Sequence, residues 1–269
     1  MERDEQVPSV IDPNTPSVAR MYDYYLGGKD NFPSDREAAE KIIQLVPNVT
    51  QIARDNRDFL IRVVRMLAAA GVRQFIDIGT GLPTRQNVHE VALEAAPDSR
   101  IVYVDNDPIV LVHARALLAE TPQTIVVRAD LRDTASILED PQVRAHIDFT
   151  RPVAVLLFAI LHFVPDHRQS VELVNRLRAP LVSGSHLALS HSYAGDLAGE
   201  TIRTGRSVYR AASAGSLTPR TTEQVSAYFD GLHLLEPGVV PIDAWRSEWP
   251  DLKPDFAKPG LLGGVARIP

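Results

Sequence analysis

The sequence predicts a doubly wound α/β fold, and three observations support this. Short apolar runs alternate with segments of helical periodicity through the middle of the chain, as in parallel strands joined by right-handed crossovers. The run Pro152–Phe158 is apolar throughout, which is typical of a central strand covered on both faces. Two strand-like runs near the end have no long helix between them. We therefore expect a mostly parallel, seven-stranded sheet with an antiparallel final strand.

The N-terminal part of the chain reads as a polar arm followed by three helices. Residues 1–16 lack helical periodicity and are expected to form a flexible or draped arm. Apolar residues then recur with helical spacing from Ser17 to Leu26, and Gly27-Gly28 provides a stop. Two further helices are predicted, over Ser34–Leu45 and Thr50–Ala70. These capping helices place the division between residues 1–58, an arm and helical cap, and residues 59–269, the core.

The core segments follow in alternation. Helices are predicted over three segments, which are Val88–Ala96, Ile109–Ala119 and Val171–Ala179. Strands are predicted over seven segments, which are Val72–Ile78, Arg100–Val104, Thr124–Ala129, Pro152–Phe158, Ser185–Ser190, His233–Val240 and Leu261–Ile268.

Composition narrows the function. None of the 269 residues is Cys, which excludes zinc-thiolate sites and cysteine nucleophiles, and no His, Asp or Glu group has metal spacing. The net charge of −6 disfavours a nucleic-acid partner. The longest apolar run, Val153–Leu161, is far below the roughly 20 residues that cross a bilayer. The polar N-terminus lacks the pattern of a secretory signal, so a cytoplasmic protein without a membrane partner is expected.

The strongest local motif is Asp77-Ile78-Gly79-Thr80-Gly81 at the end of the first predicted strand. The glycines allow a tight turn and close approach of the backbone to a ligand. Two other interpretations remain open, an ordinary strand-to-helix turn and a dinucleotide fingerprint. Against the fingerprint, Thr84 stands where its third glycine would be. The acid before the glycines suits a cationic ligand better than a pyrophosphate.

Acids also follow the next two strands. Asp105 and Asn106 end the second, and Asp130 and Leu131 end the third. One such Asp is usually a turn residue, but three at consecutive strand ends converge on one edge of a parallel sheet.

From these motifs the chain resembles the class I S-adenosylmethionine (SAM)-dependent methyltransferases, which have a Rossmann-like fold. The resemblance implies SAM as cofactor, with the methionine portion near Asp77, the ribose near Asp105 and the adenine near Asp130. The full set of implied cofactor-binding residues is Asp77, Gly79, Thr80, Gly81, Asp105, Asn106, Asp130, Leu131 and Phe158.

The run from Ala19 to Phe32, followed by Asp35-Arg36, resembles the signature of an actinobacterial family of SAM methyltransferase-like proteins of unassigned substrate. Its tyrosines and its Gly-Gly-Lys-Asp-Asn run suit a lid over an adjacent pocket. A helix that only packs into the core, with a glycine C-cap, is the alternative. Tyr22, Tyr25 and Asn31 are the candidate lid residues.

Candidate residues for the chemistry follow the fourth and fifth strands. His162 is the best candidate for a general base, because imidazole titrates near neutral pH. His191 and Tyr193 are further candidates at the substrate. A purely structural role is the alternative for each of the three.

The sequence thus predicts methyl transfer from SAM to oxygen or nitrogen of an unidentified small molecule. A SAM-binding sensor or interaction protein that performs no transfer is the main alternative, and a nicotinamide-dependent oxidoreductase is a second. The oligomeric state does not follow from the sequence.

Overall fold

The computed structural model of the protein describes residues 12–84, 86–118, 121–213, 215–249 and 251–269. The first eleven residues of the predicted arm, and Ala119 at the predicted end of a helix, lie outside the described residues.

One sheet of eight strands forms the centre of the described structure, in the order β3-β2-β1-β4-β5-β8-β6, with β7 beside β8. The first five strands are parallel, and β8 runs antiparallel to β5 from His186↔Arg267 to Tyr193↔Gly260. The doubly wound fold with an antiparallel finish is therefore confirmed. The strands are β1 (Gln74–Ile78), β2 (Arg100–Asp105), β3 (Thr124–Arg128), β4 (Ala154–Phe158), β5 (His186–Tyr193), β6 (His233–Leu234), β7 (Val240–Pro241) and β8 (Gly260–Arg267).

The count of eight strands, where the sequence predicted seven, has a local cause. The predicted strand His233–Val240 is two short strands, β6 and β7, both paired with β8. Between them Gly238 has φ +87° and donates its N–H to the carbonyl of Leu235, which closes a turn. Pro237 lacks a donor for a strand ladder, so the run cannot continue as one strand.

Ten helices lie in the described residues. The predicted helices are confirmed, whereas α6, α7, α9 and α10 were not predicted. Helices α6, α7 and α10 are only five, six and five residues long, and α9 has a mostly polar sequence with two glycines. The helices are α1 (Val18–Tyr25), α2 (Pro33–Leu45), α3 (Val49–Ala69), α4 (Val88–Ala95), α5 (Pro108–Leu118), α6 (Thr134–Leu138), α7 (Pro141–His146), α8 (His167–Arg178), α9 (Gly199–Arg210) and α10 (Thr222–Ser226).

Both faces of the central strands β1 and β4 are buried. Along β1, Phe75 packs into one apolar cluster and Ile76 into another on the opposite face, as the period of two requires. All five residues of β4 are buried, in agreement with its uniformly apolar sequence.

Helix α3 joins the N-terminal cap to the sheet. Ala53 in its first half belongs to a third apolar cluster, formed with α1, α2 and α9, whereas Phe59 and Val63 belong to a cluster on the sheet. The expected boundary at residue 58 lies inside this continuous helix, and the division between cap and core stays a prediction.

Candidate active site

The carboxyl ends of β1, β2 and β4 open into one cleft. It lies where the strand order reverses, between β1 and β4, which is the usual ligand position in an open α/β sheet. Asp77, Gly79, Asp105 and Phe158 all line this cleft, as the sequence predicted for converging strand ends. About 770 Å³ of space, open solvent included, lies between its walls.

The loop after β1 depends on glycine. Gly79 has φ +78° and Gly81 has φ +67°, a left-handed conformation that other residues rarely adopt. A Cβ on Gly79 would lie 2.7 Å from Cγ1 of Ile160. The Thr80 hydroxyl donates to the carbonyl of Asp77 at 3.1 Å, which holds the turn. The backbone at Gly79 is therefore left bare on the cleft side.

Asp105 is fixed at the cleft wall by backbone donors. Its two carboxylate oxygens accept the N–H groups of Gly81 and Asp107, each at 2.9 Å. Burial raises its pKa. Because each oxygen has a second lone pair, the carboxylate can still accept hydroxyl groups from a ligand.

Asp130 and Leu131 lie in an adjoining pocket that shares Gly79, Asp105 and Asn106 with the cleft. The side chain of Asn106 donates to Asp130 at 3.0 Å. The hydrogen bonds and charge of Arg132 hold the pKa of Asp130 down at about 2. The predicted ribose and adenine residues are thus contiguous.

Asp77 and Arg57 form the electrostatic centre of the cleft. Burial raises the pKa of Asp77 to about 7, an effect that the Arg57 guanidinium opposes and the Asp105 carboxylate increases. Arg57 also donates from Nη2 to the carbonyl of Gln86 at 3.1 Å, while its buried Nε has no partner. An unpaired buried donor beside a carboxylate suits a ligand that carries both a positive and a negative group.

A second cavity, here called the apolar pocket, adjoins the cleft. The two share Val18, Tyr22, Ala159 and Phe163 as common walls. The apolar pocket encloses about 990 Å³, open solvent included, between α1, α2, α3, α9 and the end of β5. Its walls are mostly apolar, among them Ile42, Leu45, Val49, Ile52, Leu197, Ile202, Leu217 and Leu261.

His162 lies on the wall of the apolar pocket. Ala159, with φ +51°, turns the chain from β4 into a short 3₁₀ turn, Leu161–Phe163, that carries the ring. Nδ1 of His162 accepts the backbone N–H of Ser192 at 3.3 Å, so the ring proton of the neutral imidazole belongs on Nε2. Burial, then His191 and Arg220, lower the pKa of His162 well below its usual range. In this arrangement the neutral ring presents a hydrogen-bond donor at Nε2, and the role of general base stays a prediction.

His191 is a structural residue and not part of the pocket wall, which corrects the expectation of a substrate residue. Its ring is fully buried, and both nitrogens are used. Nδ1 lies 2.8 Å from the carbonyl of Ser192 and donates to it, while Nε2 accepts from Nη1 of Arg220 at 2.5 Å. Arg220 also binds the carbonyls of Leu161 and Val164, at 3.3 and 2.7 Å, and thereby holds the turn that carries His162.

The N-terminal helix covers both cavities. Tyr22 lines each of them, and its hydroxyl donates to the carbonyl of Ala53 and accepts from Asn56, both at 3.0 Å. Asn56 in turn accepts from the Ser190 hydroxyl at 2.6 Å. Tyr25 lines the apolar pocket, with its hydroxyl 3.3 Å from that of Tyr209. Tyr193, the remaining predicted residue, also lies on this wall.

The glycine-rich run after Tyr25 has a structural role. Asn31 donates to the Asp23 carboxylate at 2.8 Å and to the carbonyl of Gly28 at 3.1 Å, and it lines neither cavity, which corrects its assignment to the lid. A Cβ on Gly28 would overlap the Asp23 carboxylate. Asp23 therefore organises the loop that follows α1.

A buried ion pair joins α1 to α2. Nε of Arg20 lies 2.6 Å from Asp35, and both side chains are almost fully buried. The same carboxylate accepts the N–H groups of Ser17 and Phe32, at 2.8 and 2.7 Å. Ser17 also donates from its hydroxyl to Asp107 beside the cleft, at 2.7 Å. The cap is thus anchored at the cleft itself.

Sequence reasoning missed the residues that α3 and α9 contribute. Asn56 and Arg57 line the cleft, and Arg206 and Tyr209 line the apolar pocket. A usable signal was present in α9, since the four residues on its pocket side recur at helical spacing. They are Ile202, Gly205, Arg206 and Tyr209.

Comparison with known proteins identifies the family. Residues 4–269 match the model of a family described as S-adenosyl methyltransferase. The chain belongs to this family. SAM is accordingly its cofactor, and the actinobacterial resemblance seen in the sequence is confirmed.

Solved structures agree with the methyltransferase assignment. A DUF574 family protein from Streptomyces avermitilis is 43% identical, with a TM-score of 0.89 over 97% of this chain and 100% of that one. A candidate methyltransferase from Thermobifida fusca is 40% identical, with a TM-score of 0.88 over 98% of this chain and 99% of that one. No curated protein matches the chain.

More distant methyltransferases share the fold. The N-methyltransferase NodS from Bradyrhizobium japonicum, in complex with S-adenosylhomocysteine, is 14% identical, with a TM-score of 0.50 over 93% of this chain and 99% of that one. The Rossmann-like fold of the methyltransferases is therefore shared well beyond the family.

The described residues contain neither a helix suited to a bilayer nor a metal-binding cluster. No helix among them has both the length and the apolar character needed to cross a bilayer. In the same part of the chain, no group of three or more His, Cys, Asp or Glu is placed to hold a metal ion.

Proposed function

We propose that this methyltransferase transfers the methyl group of SAM to oxygen or nitrogen of a small, largely apolar molecule bound in the apolar pocket. The observation that carries the proposal is the wall shared by the two cavities. Val18, Tyr22, Ala159 and Phe163 face both the charged cleft and the apolar pocket. A donor in the cleft and an acceptor in the pocket would meet at this wall, and such proximity is the main requirement for displacement at an activated methyl group.

The residues of the cleft fit SAM. Asp77 would face the cationic methionine portion, and the unpaired Nε of Arg57 offers a donor for its carboxylate. The Asp105 carboxylate, anchored by Gly81 and Asp107, suits the ribose hydroxyls. Bound SAM supplies a methyl group on a positively charged sulfur, which leaves as the neutral thioether of S-adenosylhomocysteine.

The raised pKa of Asp77 makes SAM affinity pH-dependent. A carboxyl with a pKa of about 7 is largely protonated at pH 6 and ionised at pH 8, and only the ionised form attracts a cation. We expect the affinity, measured by calorimetry, to fall about tenfold from pH 8 to pH 6, with protons released on binding near pH 7. Asp77→Asn is the control, because SAM itself has a titrating amine. An equal pH slope in Asp77→Asn would remove Asp77 from the cationic site.

His162 would orient the acceptor in the pocket. Its Nε2–H has no partner among the described residues and belongs to a side chain on the pocket wall, so it can donate to one lone pair of an acceptor oxygen. The second lone pair of that oxygen would then attack the methyl carbon as the carbon–sulfur bond breaks, and the hydroxyl proton would pass to water. A nitrogen acceptor has a single lone pair and would have to approach without this hydrogen bond.

Substitution of His162 distinguishes a donor from a base. For a donor, His162→Ala should lower kcat/KM by about tenfold, the value of one hydrogen bond, with SAM affinity unchanged. His162→Gln retains an N–H donor and should recover most of the rate. The measurement is turnover of an acceptor found by screening a metabolite extract with labelled SAM. If His162 is instead a general base, both variants should lose roughly 10²–10⁴-fold in kcat/KM. The pH profile of the wild-type rate should then also fall at low pH, where His162 becomes protonated.

A further inference from the structure

The apolar pocket contains a charge that the proposed reaction does not use. Among the described residues of its wall, Arg206 is the only one with a permanent charge, and no carboxylate faces it there. The buried Nε of Arg206 has no hydrogen-bond partner. The side chain makes no hydrogen bond or ion pair with any residue that the structure describes.

This arrangement differs from that of the two buried arginines, Arg20 and Arg220. Arg20 is paired with Asp35, and Arg220 is held by three carbonyl groups and His191. A buried donor without a partner is unfavourable, because it has lost water and gained nothing in return. A guanidinium also presents a planar pair of donors that matches an oxyanion.

The residues around Tyr193 make that side of the apolar pocket unfavourable for an anionic ligand. The Tyr193 hydroxyl is also buried without a partner on this wall. However, Asp196 and Asp255 lie close enough to add to the effect of burial in raising the pKa of Tyr193. Their negative charge disfavours an anion at Tyr193 and leaves Arg206 as its partner.

We propose that the methyl acceptor is an apolar molecule bearing one anionic group, in the simplest case a carboxylate, which pairs with Arg206 inside the apolar pocket. Only the identification of the bound molecule as the methyl acceptor rests on the proposed function. Apolar walls would hold the body of the molecule, and the single cation would fix its orientation relative to the wall shared with the cleft. Arg206 thus acts as a specificity-determining residue.

The test uses two dyes that share one aromatic skeleton. Anilinonaphthalene sulfonate is anionic, and N-phenyl-1-naphthylamine is the same skeleton without the sulfonate. In fluorescence titrations with saturating S-adenosylhomocysteine, we expect wild type to bind the anionic dye at least about tenfold more tightly. Arg206→Gln should remove most of this preference by weakening the anionic dye alone. Arg203→Gln is the matched control, because Arg203 is an exposed arginine on the same helix.

A blocking variant shows that the dyes report on this pocket. Gly205 lies on the pocket wall, and a Cβ there would make only an ordinary 4.0 Å contact with Ile42. Gly205→Leu should therefore fold, retain S-adenosylhomocysteine and lose both dyes. The proposal is overturned if wild type shows no preference for the anionic dye or binds neither dye. It is also overturned if Arg206→Gln weakens both equally or if Arg203→Gln has the same effect. No turnover enters this test, so it stays decisive even if methyl transfer is not found.

Discussion

Gly79→Val should abolish useful SAM affinity. The residue has φ +78°, and a Cβ there would lie 2.7 Å from the Ile160 side chain, which also lines the cleft. Valine adds two further methyl groups to a conformation that β-branched residues avoid. Overpacking of this kind costs typically 1–3 kcal/mol, and loss of the backbone approach adds to it, so we expect at least about a hundredfold loss in affinity.

Gly71→Val provides a matched control for backbone strain. Gly71 has φ +94°, but a Cβ there would contact nothing within 4 Å, and it lies at the end of α3 away from the cleft. Both variants should lose stability through strain, whereas only Gly79→Val should lose SAM binding in calorimetry. Unchanged affinity in folded Gly79→Val would place the cofactor elsewhere.

Of the substitutions proposed for this protein, Asp35→Ala should cause the largest loss in the free energy of unfolding. The carboxylate pairs with buried Arg20 and accepts two backbone N–H groups, so its removal leaves an uncompensated buried cation and two unpaired donors. Breaking a buried pair in this way costs about 3–5 kcal/mol. Urea unfolding should show a loss of this size. Glu37→Ala on the same helix removes only the exposed pair with Lys41 and should change stability by less than about 1 kcal/mol. Equal effects of the two variants would contradict this role for Asp35.

The fold and the cleft could be predicted because their signals are local. Apolar runs mark the strands, and parallel strands bring their carboxyl ends together wherever the chain connects them. The sequence alone therefore predicts that the three acids at consecutive strand ends, Asp77, Asp105 and Asp130, lie near one another. The strand Pro152–Phe158 was recognised for the same reason, because a strand covered on both faces needs apolar residues at every position.

The apolar pocket could not be predicted because its determinants are distant in sequence. Helix α9 forms one wall, and although its pocket-facing residues recur at helical spacing, its mostly polar composition with two glycines resembles that of a loop. The tautomer of His162 depends on Ser192, and the burial of His191 depends on Arg220. Such partners are set by the crossing of loops, which no local pattern encodes. The sequence therefore does not distinguish a catalytic histidine near a strand end from a structural one.

One labelling experiment tests the central claim that the cleft and the apolar pocket act together as a methyltransferase. The protein is incubated with methyl-labelled SAM and a small-molecule extract of an actinobacterium, and label is measured in the organic-soluble fraction. We expect labelled product with wild type and none with Gly205→Leu, which blocks the pocket but should still bind SAM in calorimetry. Label transfer by Gly205→Leu at the wild-type rate would contradict the assignment of the pocket. Tight SAM binding by wild type without any labelled product would contradict methyl transfer to a small molecule and favour a SAM-binding sensor.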